Sequence, residues 1–147
     1  MYPNLRVTLG LALALALATQ ALAGGFWLTL GQGSASTDPL AKDAVLIVRP
    51  EGCNNPAKAV VSGKAIGLVD GKRRHVPLKL VALSTPGTYA VKRDWGQEGS
   101  WVLNLVALAD GRTTSAVVPI GPNGFERRAA KFFPRLPSDA DIDAALK

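Results

Sequence analysis

The chain is poor in the residues that do chemistry. Its 147 residues include one cysteine, one histidine and one methionine. Cys53 therefore has no partner for an intramolecular disulfide, and stability must come from packing. Cys53 reads as a small buried hydrophobe, with an intermolecular bridge or a reactive thiol as alternatives. A structural zinc site usually needs four Cys or His ligands, and Cys53 and His75 are the whole supply. No metal and no cofactor is expected. His75 follows Lys72-Arg73-Arg74, poor company for a general base, and Cys53 has no activating neighbour in sequence. There is no G-x-S-x-G, and Gly31-Gln32-Gly33 lacks the third glycine of a dinucleotide loop. No catalytic residue is expected. Glu51, Asp94, Glu98 and Asp110 lie in or near loops, where solvated turn residues are usual. An enzyme using such loop carboxylates, on carbohydrate for instance, is the competing class.

What the chain does have begins at its N-terminus. One basic residue, Arg6, precedes an uncharged apolar run over residues 7–18. Ala21-Leu22-Ala23 then gives an A-x-A site before Gly24-Gly25. Basic start, short apolar run and small-residue site make a secretory signal peptide over residues 1–23. The alternative is an uncleaved anchor, but 12 apolar residues fall short of the roughly 20 that span a bilayer. An exported protein, periplasmic or secreted, is expected. Membrane contact is expected only if the leader stays uncleaved. Loss of the leader removes Arg6 and leaves 16 basic against 11 acidic residues. That modest excess favours anionic envelope polymers or headgroups only weakly. Nucleic acid is not an expected partner.

The body reads as strand after strand. Residues 24–43 look like a linker, with Phe26-Trp27-Leu28-Thr29-Leu30 either a short strand or the end of the leader. Thr37-Asp38-Pro39 can cap a single helical turn. From residue 44 to 121, β-rich runs alternate with turn signals at short spacing, and helical periodicity is absent. Asp70-Gly71 and Asp110-Gly111 are the strongest hairpin signals. The expected fold is all-β, an antiparallel immunoglobulin-like sandwich of six to seven strands with a short C-terminal helical tail. In the tail, residues 122–147, the run 125–133 can be helical. Ser138 with Asp139, Asp141 and Asp143 resembles an N-cap and acidic first turn, leading to a helix with Ile142, Ala145 and Leu146 on one side.

Three segments carry a resemblance. They are Gly87-Thr88-Tyr89-Ala90-Val91, Gly99-Ser100-Trp101-Val102-Leu103 and Thr114-Ser115-Ala116-Val117-Val118. Together they resemble the small exported bacterial immunoglobulin-like sandwiches, including YtkA-like and carboxypeptidase-regulatory-like domains. The resemblance implies a binding or accessory module and brings no catalytic residues. Copper-linked relatives would need Met and His ligands, whereas Met1 lies in the leader and His75 is alone.

Candidate partner-binding residues fall into three groups. Lys72, Arg73 and Arg74 sit at a hairpin tip. Arg127, Arg128 and Lys131 stand beside Phe132 and Phe133, a mixture suited to a membrane surface or an acidic partner. The alternative there is a helix that packs its phenylalanines and solvates its charges. Trp95, with Tyr89 upstream, can stack on a partner from a loop or cap one end of the sandwich. The expected function is an exported, non-catalytic binding or accessory module of the bacterial envelope. Its partner would be an unknown envelope protein or an anionic polymer. A structural subunit docking through the basic, aromatic tail is the third possibility.

Overall fold

Two Asp-Gly turns organise the larger sheet. In the computed structural model, which describes residues 25–147, Asp70 and Gly71 have φ of 50° and 71°, and Asp110 and Gly111 of 53° and 69°. Positive φ at both central residues is the type I′ turn, whose twist matches its flanking strands. The first turn joins β3 (Val60–Val69) to β4 (Lys72–Pro77), and the second joins β7 (Ser100–Ala109) to β8 (Arg112–Gly121). β3 and β7 pair from Val60↔Leu108 to Leu68↔Ser100. β1 (Trp27–Gly31), β2 (Ala44–Glu51), β5 (Lys79–Ala82) and β6 (Tyr89–Lys92) form a second antiparallel sheet in the order β1-β2-β6-β5.

This order, facing β8-β7-β3-β4, is the A-B-E-D over G-F-C-C′ arrangement of the immunoglobulin sandwich. The all-β expectation holds, with more strands than six to seven. The segment expected as a linker supplies β1, because Leu28 and Leu30 alternate into the core while β2 offers a free edge. Asp38 caps a 3-10 turn, Pro39–Ala41, as its sequence implies. The signal-peptide reading falls on residues outside those described.

Residues 125–133 correct the helical expectation. They form β9 (Gly124–Phe125), a 3-10 turn (Arg127–Ala129) and β10 (Lys131–Phe133), and both strands pair with β8. A helix this short is marginal alone, and the open edge of β8 supplies backbone partners that it would lack. Thr114 and Ser115, both buried, then donate their hydroxyls to the carbonyls of Phe133 and Arg135.

Alternation along β7 builds the core. Trp101, Leu103, Leu105 and Ala107 pack with Leu28, Leu30, Leu46, Val48 and Val91 of the other sheet. Gly67 explains the glycine within β3. A Cβ there would stand 2.6 Å from the indole of Trp101, its cross-strand partner.

The outer face of the larger sheet is covered by α1 (Asp139–Leu146). Ile142 and Leu146 pack on Ile66, Val102 and Val117. Ser138 and Asp141 form a reciprocal capping box, so the expected helix is present on the expected face. Asp141 also accepts from Arg135 at 2.7 Å. That hydrogen bond, with the Ser138 N–H, pulls its carboxyl down to about 2.

Candidate binding surface

The chain passes from the edge of one sheet to the edge of the other between β4 and β5. Leu78 marks the crossing, its N–H donating to the Gly63 carbonyl at 3.0 Å. β4 ends the larger sheet and β5 ends the smaller, so both open edges share one side of the sandwich.

This side is basic. Lys72, Arg73, Arg74 and His75 are exposed in succession along β4. Register sorts them by face. Arg73 and His75 oppose Leu68 and Ile66, on the face that carries α1. Lys72 and Arg74 share the opposite face with Val76. Across the crossing, Lys79 of β5 stands directly opposite Lys92 of β6. Both point away from the core, since their neighbours Leu80 and Val91 point into it. Lys64, opposite Pro77, is exposed on the α1 side.

The charge distribution is sharply uneven. Residues 60–93 hold seven cations, Lys64, Lys72, Arg73, Arg74, Lys79, Lys92 and Arg93, against Asp70 alone. Residues 25–59 hold three cations and three carboxylates, and residues 94–147 hold six and seven. The whole positive excess of the described chain therefore lies on β3–β6 and the residues bordering them. Alternate residues on a strand face stand about 7 Å apart. That is within the screening length of about 8 Å at physiological salt, so their fields add. Two internal contacts engage the surface: Asp143 of α1 pairs with Arg73, and the Lys92 ammonium donates to the Lys42 carbonyl. Arg93 lies over the Trp95 ring at 5.3 Å and donates to the Gly96 carbonyl.

The other candidates have other roles. Trp95 is buried in the main core, so of its two sequence readings the cap on one end of the sandwich holds and the partner-stacking loop aromatic does not. It caps one end of the sandwich, shielded by Arg93. Tyr89 lies in β6 and is partly buried against the same core. Arg127 donates to the Leu30 carbonyl at 2.9 Å and ties the tail to β1. Phe133 packs at the margin of the α1 cluster, while Phe132, Arg128 and Lys131 are exposed. The structure thus places Lys72, Arg73, Arg74, Lys64, Lys79 and Lys92 on β3–β6, with Lys64 and Arg73 on the α1 face and Lys79 and Lys92 on the outer face of the smaller sheet, and leaves the tail cations on other elements. Lys64, Lys79 and Lys92 were not singled out from sequence, although a count of charge along the chain marks their segment.

The loop carboxylates divide between the two ends of the sandwich. Asp94 and Glu98 precede β7, whereas Asp110 follows it and Glu51 ends β2. The ten residues of β7 separate the two pairs by about 30 Å. Glu51 pairs with Arg49 at 3.2 Å, and Asp110 accepts from the Asn54 N–H at 3.1 Å. Among the described residues, no group of three His, Cys, Asp or Glu side chains is placed to hold a metal ion. Cys53 is half-buried in the loop after β2. Asp38 is held below the usual carboxylate range by the Ser84 hydroxyl, then by the N–H groups of Ser84 and Leu40. That accounts for it as a loop clamp. No protein-family model, no curated protein and no solved structure matches this chain.

Proposed function

We propose that this chain is an exported, non-catalytic binding module that holds an anionic envelope polymer along its β4–β5 side. The observation that carries the reading is the segregation of charge: the entire positive excess of the described chain falls within residues 60–93, whose strands β4 and β5 are the open sheet edges on one side. A row of like charges on a rigid edge costs self-repulsion, and a polyanion relieves it. The two sheets fix where the cations stand, so the edge is ordered before the polymer arrives and loses little entropy on contact. No step of bond making is required of any residue.

The test is binding of the purified chain to poly(glycerol phosphate), measured by calorimetry at low and physiological salt. Binding should weaken as salt rises. A Lys72→Glu/Arg74→Glu/Lys79→Glu variant should bind at least about tenfold more weakly. Equal affinity of parent and variant, or no binding by the parent at low salt, would falsify the proposal. All three positions are exposed, so the fold should survive and can be checked by thermal unfolding.

A further inference from the structure

The end of the sandwich opposite the Asp110-Gly111 turn holds a hollow that the polymer-binding reading does not use. It is built where β7 begins and where β8 and α1 end, and its volume is 540 Å³. That is the ordinary size of a small-ligand site. Arg93 and Lys147 bring the only side-chain charges to its wall, and both are positive. Gln97 and Ser100 add an amide and a hydroxyl, and Trp101, Ile120 and Leu146 add apolar surface. Carboxylates stay outside the wall. Asp94 and Glu98 share the loop before β7, and Glu126 lies against the Gly121 backbone where a Cβ would stand. Neither wall cation has an ion-pair partner among the described residues. The wall is also held in shape. Arg93 lies over the Trp95 ring at 5.3 Å and gives one N–H to the Gly96 carbonyl, which leaves the rest of its fork open. Gly99, with φ of 82°, draws the loop onto β3, where a Cβ would stand 2.3 Å from the Leu68 carbonyl. The Trp101 Nε1–H fastens the same loop by donating to the Glu98 carbonyl at 2.8 Å.

We propose that this hollow binds a single sugar acid, a hexuronic acid whose carboxylate is held by Arg93. A guanidinium with open N–H groups, in one wall with an ammonium, suits a carboxylate or a phosphate. The last turn of α1 decides between them. Its carbonyls have no helical partners, and Ala145 and Leu146 of that turn line the hollow. Such carbonyls, at the negative end of the helix, repel a compact anion and accept from hydroxyls. A uronic acid keeps its charge at one corner of a hydroxylated ring. Its carboxylate meets Arg93 while ring hydroxyls donate to the carbonyls and exchange hydrogen bonds with Gln97 and Ser100. The C–H face of the ring covers the apolar surface. A free phosphate satisfies only the first of these demands. The site does not use Lys72, Arg74 or Lys79, so it stands whether or not a polymer binds along β4 and β5.

The test is titration of the purified chain with D-glucuronate, followed by calorimetry and by amide NMR. D-glucose supplies the hydroxyls without the charge, and inorganic phosphate the charge without the ring. Glucuronate should bind at least about tenfold more tightly than either. Amide shifts should gather at Gly99, Ser100 and Gly121, with Gly111 at the other end of β7 unmoved. Arg93→Gln should weaken glucuronate binding about tenfold. Arg93 also covers Trp95, so Lys147→Gln serves as a second variant at an exposed position. It should weaken binding about threefold and leave thermal unfolding unchanged. The Lys72→Glu/Arg74→Glu/Lys79→Glu variant should stay within about twofold of the parent for glucuronate, whatever it does to polymer binding. Glucose or phosphate bound as tightly as glucuronate overturns the proposal, as do shifts centred on β4. So does parental affinity in both Arg93→Gln and Lys147→Gln, or no binding by the parent up to about 10 mM.

Discussion

The indole of Trp101 lies across the backbone of Gly67, its strand partner, with ring carbons 2.6–2.7 Å from where a Cβ would stand. The Trp101 Nε1–H reaches the Glu98 carbonyl at 2.8 Å, which holds the ring in this pose. Gly67→Ala must therefore displace the ring or bend β3. Overpacking of this kind costs about 1–3 kcal/mol. Urea unfolding should show a lower midpoint with an unchanged slope. A Gly67→Ala protein as stable as the parent would mean that the indole has room to move.

Lys79 and Lys92 face each other across β5 and β6. Like charges directly opposite are unfavourable, and an opposite pair contributes about 0.2–1 kcal/mol. Lys79→Glu should therefore raise thermal stability while weakening polymer binding. An ordinary structural lysine would give no such opposition between the two measurements.

Asp143 of α1 pairs with Arg73, so the helix occupies one cation of the basic side. Asp143→Asn releases it. Affinity for poly(glycerol phosphate) should rise about twofold to fivefold, and stability should fall by about 0.2–1 kcal/mol, the range for a surface pair. Unchanged affinity would remove Arg73 from the binding surface.

α1 is held by few residues, and each carries a large share of the attachment. Ile142→Ala empties a site against Ile66, Val102 and Val117 and should cost about 2–4 kcal/mol. Ser138→Ala removes the cap and should cost about 1 kcal/mol. Hydrogen exchange should show the helix amides losing protection before those of β7 in either variant.

The tail also sets an acid response. The Asp141 carboxyl lies below its unfolded value, so its contribution is complete above pH of about 4. That contribution is lost as the pH falls through about 2. Helix protection should decline over this window in the parent. In Asp141→Asn it should be lower throughout and nearly flat with pH. A parent profile that is flat from neutrality to pH 2 contradicts the assignment.

Much of the sandwich was legible because its signals are local. Asp70-Gly71 and Asp110-Gly111 demand positive φ, and Ser138 with Asp141 carries both halves of its capping box. What escaped depended on distant neighbours. Residues 125–133 contain good helix formers, and only the open edge of β8 turns them into strands. Trp95 sits in a polar loop sequence that leaves both a cap and an exposed aromatic open, and only the core end that receives it decides for the cap. The hairpin cations were visible as a cluster. Their extension to Lys79 and Lys92 needed the knowledge that β4 and β5 are edges on one side.

Those edges have a further consequence. β4 has an unpaired flank, the kind of strand on which a second molecule could template itself. Lys72, Arg73 and Arg74 make any approach of one such flank to another repulsive, which keeps free domains apart. A polymer that neutralises these cations lifts the repulsion as it binds. Neighbouring domains on one strand of polymer would then meet flank to flank, and occupancy along the polymer would become cooperative where solution copies remain separate.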